Sequence, residues 1–371
     1  MNQIIYKKNI FHNILHIDLI LFLPILCILL FSIFITWSAS GQSVEIIQQK
    51  IIQIIIGFII MILLAQIPPK KYEMYALHTY NICLILLILV NITGHISKGA
   101  QRWLDLGLLK FQPSEIVKFS ILLITAYYLN KGQYPPSIKR VCIVLLLTTI
   151  PAVFILLQPD LGTTILTMST GLFVLFLSGI SWKLIIIILS MIISLIPIFW
   201  FFFMYPYQKI RISILWNPEI DPLGSGYHII QSKIAIGSGG LIGKGWLHGT
   251  QSQLEFLPER HTDFIFSVIG EEFGFLGISM LFILYLIIIL RGFFIAINVQ
   301  HMFGRLVTGG SILIFFMTIF MNIGMVTGIL PVVGMPLPLV SYGGSSLLVL
   351  MAEFGCIMSM HSHRKMISKV L

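Results

Sequence analysis

The chain has 371 residues, of which 57% are hydrophobic and only 10% are charged. Ordinary soluble domains carry about 25% charged residues, so this composition excludes a typical water-soluble protein. The net charge of +9 does not indicate a nucleic-acid-binding protein either, because more than half of the basic residues lie where they cannot form one binding surface. The sequence therefore predicts an all-α polytopic integral membrane protein.

Apolar runs long enough to cross about 30 Å of hydrocarbon as helices recur along the whole chain. No inserted soluble domain separates them, so residues 1–371 are predicted to form a single transmembrane domain. The ten predicted spans lie near 19–37, 46–67, 73–91, 115–130, 141–157, 162–178, 184–203, 265–290, 306–328 and 344–360.

Basic residues occupy the two termini and every second loop, which is the pattern that positive-inside orientation produces. Both termini are therefore predicted to be cytoplasmic, and most acidic residues then lie at the outer face. The residues that set this orientation are Lys7, Lys8, Lys70, Lys71, Lys131, Lys139, Arg140, Lys183, Arg291, Arg305, Arg364, Lys365 and Lys369.

Three predicted outer segments are too long or too unusual to be simple loops. The first covers residues 91–115, and the largest covers residues 204–264 between spans seven and eight. A polar stretch of about sixty residues is expected to contain short helices and a function. The third, residues 328–346 before span ten, is rich in Gly and Pro but apolar, which predicts a re-entrant segment walled by protein.

Polar residues stand at the outer N-termini of four even-numbered spans. Unpaired N–H groups at helix N-termini favour phosphate or diphosphate ligands, so convergence of these four ends predicts a shared anionic site. For Ser114, Asp160 and Asp263 taken singly, helix capping is the alternative. The polar residues are Gln112, Ser114 and Glu115, then Gln158 and Asp160, then Asp263, and finally Ser341 and Tyr342.

The densest group of charges lies in residues 254–274, at the start of span eight. Ionisable groups at a membrane edge are costly and usually functional, so the chemistry is predicted here, with Asp263 as its central residue. Neighbouring candidates are Glu255, Glu259, Arg260 and His261. His248 and His261 lack the spacing of metal ligands, so no metal site is predicted.

Other candidates have structural alternatives. Glu115 and Lys118 share one helical face and form either part of a cavity or a structural ion pair. Trp103 holds a headgroup or sugar, or anchors the chain at the membrane interface. The Gly-rich stretch 237–245 fails the phosphate-loop pattern, because Ser238 and Gly245 stand at required positions. It is interpreted as a tight outer loop.

Four strings, GAQRWLDLGLLKFQPSEIVK, QPDLGT, LPERHTDFIFSVIGEE and NIGMVTGILPVVGMPLPLVSYGGSS, resemble motifs of the SEDS family, the shape, elongation, division and sporulation proteins. The longer matching stretches cover about a third of the chain in family order, and the last resembles the elongation branch. The resemblance implies a peptidoglycan glycosyltransferase that polymerises lipid II on the outer face of the cytoplasmic membrane. It also implies a partner, a class B penicillin-binding protein that crosslinks the glycan.

Carried over by motif, the resemblance makes Asp263 the essential catalytic residue and associates Glu115 and Lys118 with the same cavity. On this hypothesis Asp263 is the general base of an inverting transfer that forms a β-1,4 linkage. Arg211, Lys233, Arg260 or a divalent cation held by the carboxylates would stabilise the departing diphosphate. The sequence does not choose among them.

The main alternative function is a lipid II flippase or another transporter. Ten spans and a re-entrant segment fit a transporter, but one should carry ionisable groups near mid-membrane on several helices. This chain concentrates them at the outer edge, which favours the enzyme. A purely structural scaffold would leave the carboxylate cluster without a role.

Overall fold

The computed structural model describes residues 16–363, except 98–99, 106–109, 218–220, 222–223, 255 and 258. Within that part of the chain, thirteen α-helices and three short strands follow one another. The helices before the largest outer segment are α1 (Leu19–Ala39), α2 (Val44–Ala65), α3 (Pro69–Thr93), α4 (Pro113–Asn130), α5 (Ile138–Leu157), α6 (Leu161–Leu177) and α7 (Trp182–Ile198), which a π-helical turn at Phe199–Phe203 extends. The later helices are α8 (Pro206–Trp216), α9 (Ser225–Ser238), α10 (Thr250–Gln253), α11 (Ile265–Asn298), α12 (Met302–Val326) and α13 (Gly344–Ser362).

Ten of these helices fall on the ten segments predicted to span the membrane. In the described residues, eight helices are long and apolar enough to cross a bilayer. The other two are α4, which carries Glu115 and Lys118, and the 17-residue α6. The prediction of an all-α, multi-pass membrane protein is confirmed, whereas the count of ten spans stays a prediction.

Burial separates the centre of the helix bundle from its periphery. α2 packs along α13, and α12 packs against α4, α6 and α11. By contrast, α7 contributes no buried residue, and most of its Ile, Leu and Met side chains are exposed, although Leu184, Ile185 and Ile188 pack against the core. A helix that is apolar all round and packs on protein along one side only is suited to contact with lipid.

The two long segments predicted to lie outside the membrane contain local structure. The described residues between 95 and 111 form a small antiparallel sheet of β1 (His95–Ser97), β2 (Ala100–Asp105) and β3 (Lys110–Phe111). These strands are a local addition to the predicted all-α fold. The segment 204–264 contains α8, α9 and α10, as expected for so long a polar stretch.

The Gly- and Pro-rich segment before α13 is irregular and surrounded by protein. Residues 327–343 form no helix, and Leu337, Leu339 and Val340 are buried. Irregular backbone of this kind survives at membrane depth only when protein or water satisfies its polar groups. The predicted break before the last span is present, and its depth in the membrane stays a prediction.

Helix α11 is interrupted at Gly274, where φ is +61° and ψ is −157°. The Gly-rich loop after α9 supplies partners for the interrupted turn, so this loop is anchored by its backbone. Four bonds join the two segments, from the N–H groups of Lys244, Gly245, Phe275 and Leu276 to the carbonyl groups of Glu271, Glu272, Gly240 and Leu241, at 2.9–3.1 Å.

Candidate active site

Asp263 lies at the head of α11, where the outer segment meets the buried segment 327–343. A Cβ atom placed on Gly334 would lie 3.4 Å from Asp263 Oδ2, so the carboxylate faces this glycine backbone. The N-cap residue of α11 is Phe264, and no side chain caps this helix end. Asp263 therefore does not occupy the N-cap position of α11, its Oδ2 faces Gly334, and its catalytic role stays a prediction.

The backbone around Asp263 is fixed at three consecutive carbonyl groups. The N–H of Tyr342 donates to His261 O at 2.9 Å, and Ser341 Oγ donates to Thr262 O at 2.5 Å. Asn322 Nδ2 donates to Asp263 O at 3.0 Å. Because these donors come from α12 and from the segment before α13, the helix bundle helps to position Asp263, in addition to the bonds within its own loop.

Arg211, in α8, is a cation that interacts electrostatically with Asp263. Its Nη1 donates to Val332 O at 3.0 Å, and its guanidinium lies 5.6 Å from the centre of the Tyr207 ring. Burial lowers the pKa of Arg211, and the negative charges of Asp263 and Asp160 oppose that shift. The guanidinium is thus within electrostatic reach of both carboxylates.

The N-termini of α4 and α6 meet beside this cation. Asp160 caps α6, since its Oδ1 accepts from Thr163 N at 3.2 Å, and its Oδ2 lies 3.5 Å from Arg102 Nε. Gln112 Nε2 lies 3.4 Å from the same Oδ2 and 3.0 Å from Ser114 Oγ. The capping alternative is correct for Asp160, although its second oxygen still pairs with Arg102.

Glu115 and Lys118 form a buried ion pair one turn further into α4. Lys118 Nζ and Glu115 Oε2 are 2.9 Å apart, and both side chains are almost fully enclosed. Their charges also act on Glu353 of α13, which is buried. The ion pair left open by the sequence is therefore present, and it lies in the interior of the bundle.

Glu259, Arg260 and His261 face a different space from Arg211. With residues at the end of α1, the start of α2 and Leu257, they line an open depression of about 290 Å³. Glu259 Oε2 accepts from Thr262 Oγ1 at 2.9 Å, and the His261 ring lies 6.0 Å from that of Tyr342. A polar depression consequently borders one side of the loop that leads to Asp263.

The remaining predicted residues lie further from Asp263 or outside the described chain. Trp103 follows Arg102 in β2 and is half-buried. Lys233 of α9 is exposed, and its side chain packs on the backbone of Gly328. A Cβ atom placed on Gly328 would lie 2.6 Å from Lys233 Cε. Glu255 lies outside the described residues. Among the residues that are described, no group of three His, Cys, Asp or Glu could hold a metal ion.

Two residues that reach this site were not among the sequence-derived candidates. Asn322 is fully buried in α12 and bridges Asp263 O and Met335 O, at 3.0 and 2.6 Å. Lys50 is buried in α2 and reaches Val340 O, beside Ser341. In a single sequence, a lone amide in an apolar run does not indicate a functional residue, whereas a lysine within a predicted span does.

Comparisons with known proteins agree with this architecture. A family model described as a cell cycle protein and named for FtsW, RodA and SpoVE matches residues 11–366. The chain is 57% identical over 363 residues to the peptidoglycan glycosyltransferase MrdB of Escherichia coli K12, covering 98% of each chain. It is 30% identical to the peptidoglycan glycosyltransferase RodA of Treponema pallidum, covering 85% of this chain and 89% of the relative.

Solved structures give the same result. The rod shape determining protein RodA of Thermus thermophilus superposes with a TM-score of 0.72 at 28% identity, covering 94% of this chain and 98% of that one. A chain from a peptidoglycan synthase complex that coordinates polymerization and crosslinking superposes with a TM-score of 0.82 at 32% identity, covering 94% and 99%. The chain therefore belongs to the FtsW/RodA/SpoVE family, the SEDS family that its motifs indicated.

Proposed function

We propose that this protein is a peptidoglycan glycosyltransferase that polymerises lipid II into glycan strands during cell elongation. The observation that carries the proposal is a carboxylate, Asp263, held at three consecutive carbonyl groups and within electrostatic reach of Arg211. A positioned base with a half-buried cation within electrostatic reach suits a transfer in which a hydroxyl loses a proton and an anion departs. The names and the identity of the relatives support the same activity.

The reaction is an inverting displacement at the sugar carbon that carries the lipid diphosphate. The C4 hydroxyl oxygen of the acceptor forms the new β-1,4 bond while the bond from C1 to the diphosphate oxygen breaks. Asp263 takes the hydroxyl proton as general base, and the electron pair leaves with the diphosphate. Fixing the backbone of residues 261–263 keeps the carboxylate in place. This matters because proximity and orientation of the reacting groups supply much of the rate enhancement in such a transfer.

The departing diphosphate is assigned to the side of Asp263 that holds Arg211. Arg102 lies on this side too, and the N-termini of α4 and α6 direct N–H groups toward it. Lys233 and Arg260 would approach from the outer segment. The alternative is that carboxylates of this region, such as Asp263 and Asp160, would hold a divalent cation, which would neutralise the charge that develops on the diphosphate.

The other proposed substrate contacts surround this centre. The depression beside Glu259, Arg260 and His261 is assigned to the sugar or peptide portion of one lipid II molecule. Trp103, Gln112, Asp160, Ser341 and Tyr342 are proposed to bind substrate at the outer rim, with Glu255 on the outer segment. The ion pair of Glu115 and Lys118 is proposed to form the inner end of the substrate cavity.

The proposed setting is the bacterial inner membrane, with ten spans in a single domain, both termini cytoplasmic and Asp263 at the outer face. The basic residues of alternate loops support this orientation. We further propose that a class B penicillin-binding protein binds this chain and crosslinks its product. The similarity to a chain from a complex that coordinates polymerization and crosslinking supports this pairing.

The proposal is tested by mixing purified full-length protein with lipid II in detergent micelles, with the transpeptidase added and its crosslinking blocked by a β-lactam. A ladder of glycan strands that lysozyme digests is the expected product. Detergent micelles do not separate two compartments, so a flippase would leave the lipid II in this assay unchanged. Absence of polymer, together with lipid II movement in sealed vesicles, would replace the enzyme with the transporter.

A further inference from the structure

Lys50 is a charged residue enclosed in the membrane-spanning part of the protein. Its relative exposure is 1%, and it lies in the second turn of α2. Within the described residues, no carboxylate lies at ion-pair distance from it. A buried ammonium group is costly unless all its donors are satisfied, so its location calls for an explanation that packing alone does not provide.

The three donors of the Lys50 ammonium group meet three neutral oxygens. Two belong to α1, Ser32 O at 3.2 Å and Thr36 Oγ1 at 2.5 Å. The third is Val340 O, at 2.6 Å, in the irregular segment before α13. Lys50 thus ties two helices to an irregular segment whose own backbone bonds form a turn, from Val340 N and Ser341 N to Leu337 O.

That segment is strained at the residue before Val340. Leu339 is buried and has a φ of +64°, a conformation that non-glycine residues rarely adopt. Such strain persists only where the surroundings over-determine the backbone. Here the carbonyl groups on either side of Leu339 are both held, Val340 O by Lys50 and Pro338 O by the Tyr285 hydroxyl at 2.6 Å.

The residues that follow Val340 contact the Asp263 loop. Ser341 Oγ accepts from Leu337 N at 2.7 Å and donates to Thr262 O, while Tyr342 N donates to His261 O. A shift of Val340 would therefore move two of the three groups that fix the backbone beside Asp263. The contacts run without interruption from Lys50 through Val340 and Ser341 to Thr262.

We propose that Lys50 is a positioning residue for glycan polymerisation, holding the strained segment 337–342 so that Asp263 keeps its place. This inference rests on the proposed role of Asp263 as general base. Lys50 itself touches no substrate, since its ammonium group is enclosed and all three of its donors are used. Its loss should therefore lower kcat and leave the KM for lipid II nearly unchanged.

The test compares Lys50→Met with Tyr72→Phe in purified full-length protein, by steady-state polymerisation kinetics with varied lipid II and the transpeptidase present throughout. Methionine keeps an unbranched chain without donors. Tyr72→Phe is the matched control, because it also removes a bond from a side chain to a backbone carbonyl, Tyr72 Oη to Leu64 O at 2.7 Å, at the opposite end of α2 from Lys50. Both variants should lower the apparent Tm.

We expect Lys50→Met to lower kcat by at least about tenfold with KM within about twofold, since small misplacements of catalytic groups are costly. Tyr72→Phe should keep kcat within about twofold of wild type. Adding Ser341→Ala to Lys50→Met should cost less than it does in the wild-type background, because both act through one segment. If Lys50→Met does not fold, Lys50→Gln replaces it, since the shorter amide cannot reach all three oxygens.

An equal fall of kcat in Lys50→Met and Tyr72→Phe would overturn the proposal, and so would fully additive effects with Ser341→Ala. A raised KM at unchanged kcat would instead make Lys50 a substrate contact. Asp263→Asn is assayed alongside to separate the two hypotheses. Absence of polymer from the wild-type protein would reject the proposed function, and near wild-type polymerisation by Asp263→Asn would reject the general-base role on which this inference rests. An inactive Asp263→Asn beside a fully active Lys50→Met would reject only the positioning role.

Discussion

Asn322→Leu should impair polymerisation far more than it impairs folding. The side chain is fully buried, and its amide nitrogen donates to Asp263 O and to Met335 O. Leucine has the same branched shape and number of heavy atoms, although it is larger, and it has no donor, so both carbonyl groups lose this partner. The substitution therefore removes one of the three bonds that fix the backbone at Asp263 without opening a large cavity.

The cost to stability can be worked out from these contacts. A buried carbonyl left without a donor costs about 1–3 kcal/mol, so two cost about 2–6 kcal/mol. Asn322 Oδ1 is itself buried without a partner, and its removal returns about 1–3 kcal/mol. The net loss is about 1–3 kcal/mol. Activity should fall further, since displacement of a catalytic group by about 1 Å can cost on the order of 10²-fold in rate.

The assay measures lipid II polymerisation and the apparent Tm of the same preparations. Thr318→Val is the control, because it removes one side-chain hydrogen bond of α12, from Thr318 Oγ1 to Ile314 O, one turn before Asn322. We expect a modest fall in Tm for both variants and a loss of rate for Asn322→Leu alone. Equal rates in the two variants would refute the positioning of Asp263 through its carbonyl group.

Three further predictions concern the outer loop, the topology and the partner. Gly243→Ala should lower the apparent Tm, because Gly243 has a φ of +85° and the new Cβ would lie 2.2 Å from Glu272 O. Gly237→Ala should not lower it, because no atom lies within 4 Å of the new Cβ. Equal Tm values in the two variants would contradict the account of this loop. In a cysteine-free variant, Leu241→Cys should react with an impermeant maleimide from outside intact cells and Gln133→Cys should not; labelling of both from one side would overturn the topology. Affinity capture from membranes in mild detergent should recover one class B penicillin-binding protein in stoichiometric amount, and recovery of none would count against the partner.

Much of the fold was predictable because long apolar runs in the sequence indicate membrane-spanning helices. Helices occupy all ten predicted segments, with ends that differ by a few residues. The break of α11 at Gly274 was not predicted, since a single glycine in an apolar run is compatible with a continuous helix. Its partner, the Gly-rich loop after α9, was recognised as a tight loop, but its pairing with the broken turn depends on contacts distant in sequence.

The site was predictable where charge stands out against apolar sequence. Asp263 and Asp160 both act on Arg211, Gln112 lies beside Asp160, and Ser341 holds the backbone next to Asp263. These contacts agree with the expected convergence of the polar helix ends, and the role of the residues in the reaction stays a prediction. Asn322 was missed because a buried amide in α12 has the same local pattern whether it packs in the core or holds a catalytic loop. The role of Lys50 depends on reaching Val340 O, a contact between residues 290 positions apart that no local pattern could reveal.

The most direct test of the central claim is the polymerisation rate of purified Asp263→Asn protein, with lipid II binding and apparent Tm measured on the same sample. Asparagine keeps the shape of the side chain and one acceptor oxygen, but it cannot take a proton from a sugar hydroxyl. The control is Asp221→Asn, the same chemical change elsewhere in the outer segment. We expect Asp263→Asn to lose at least about 10²-fold in rate, with binding and Tm preserved and Asp221→Asn fully active. A near wild-type rate for Asp263→Asn would contradict the account.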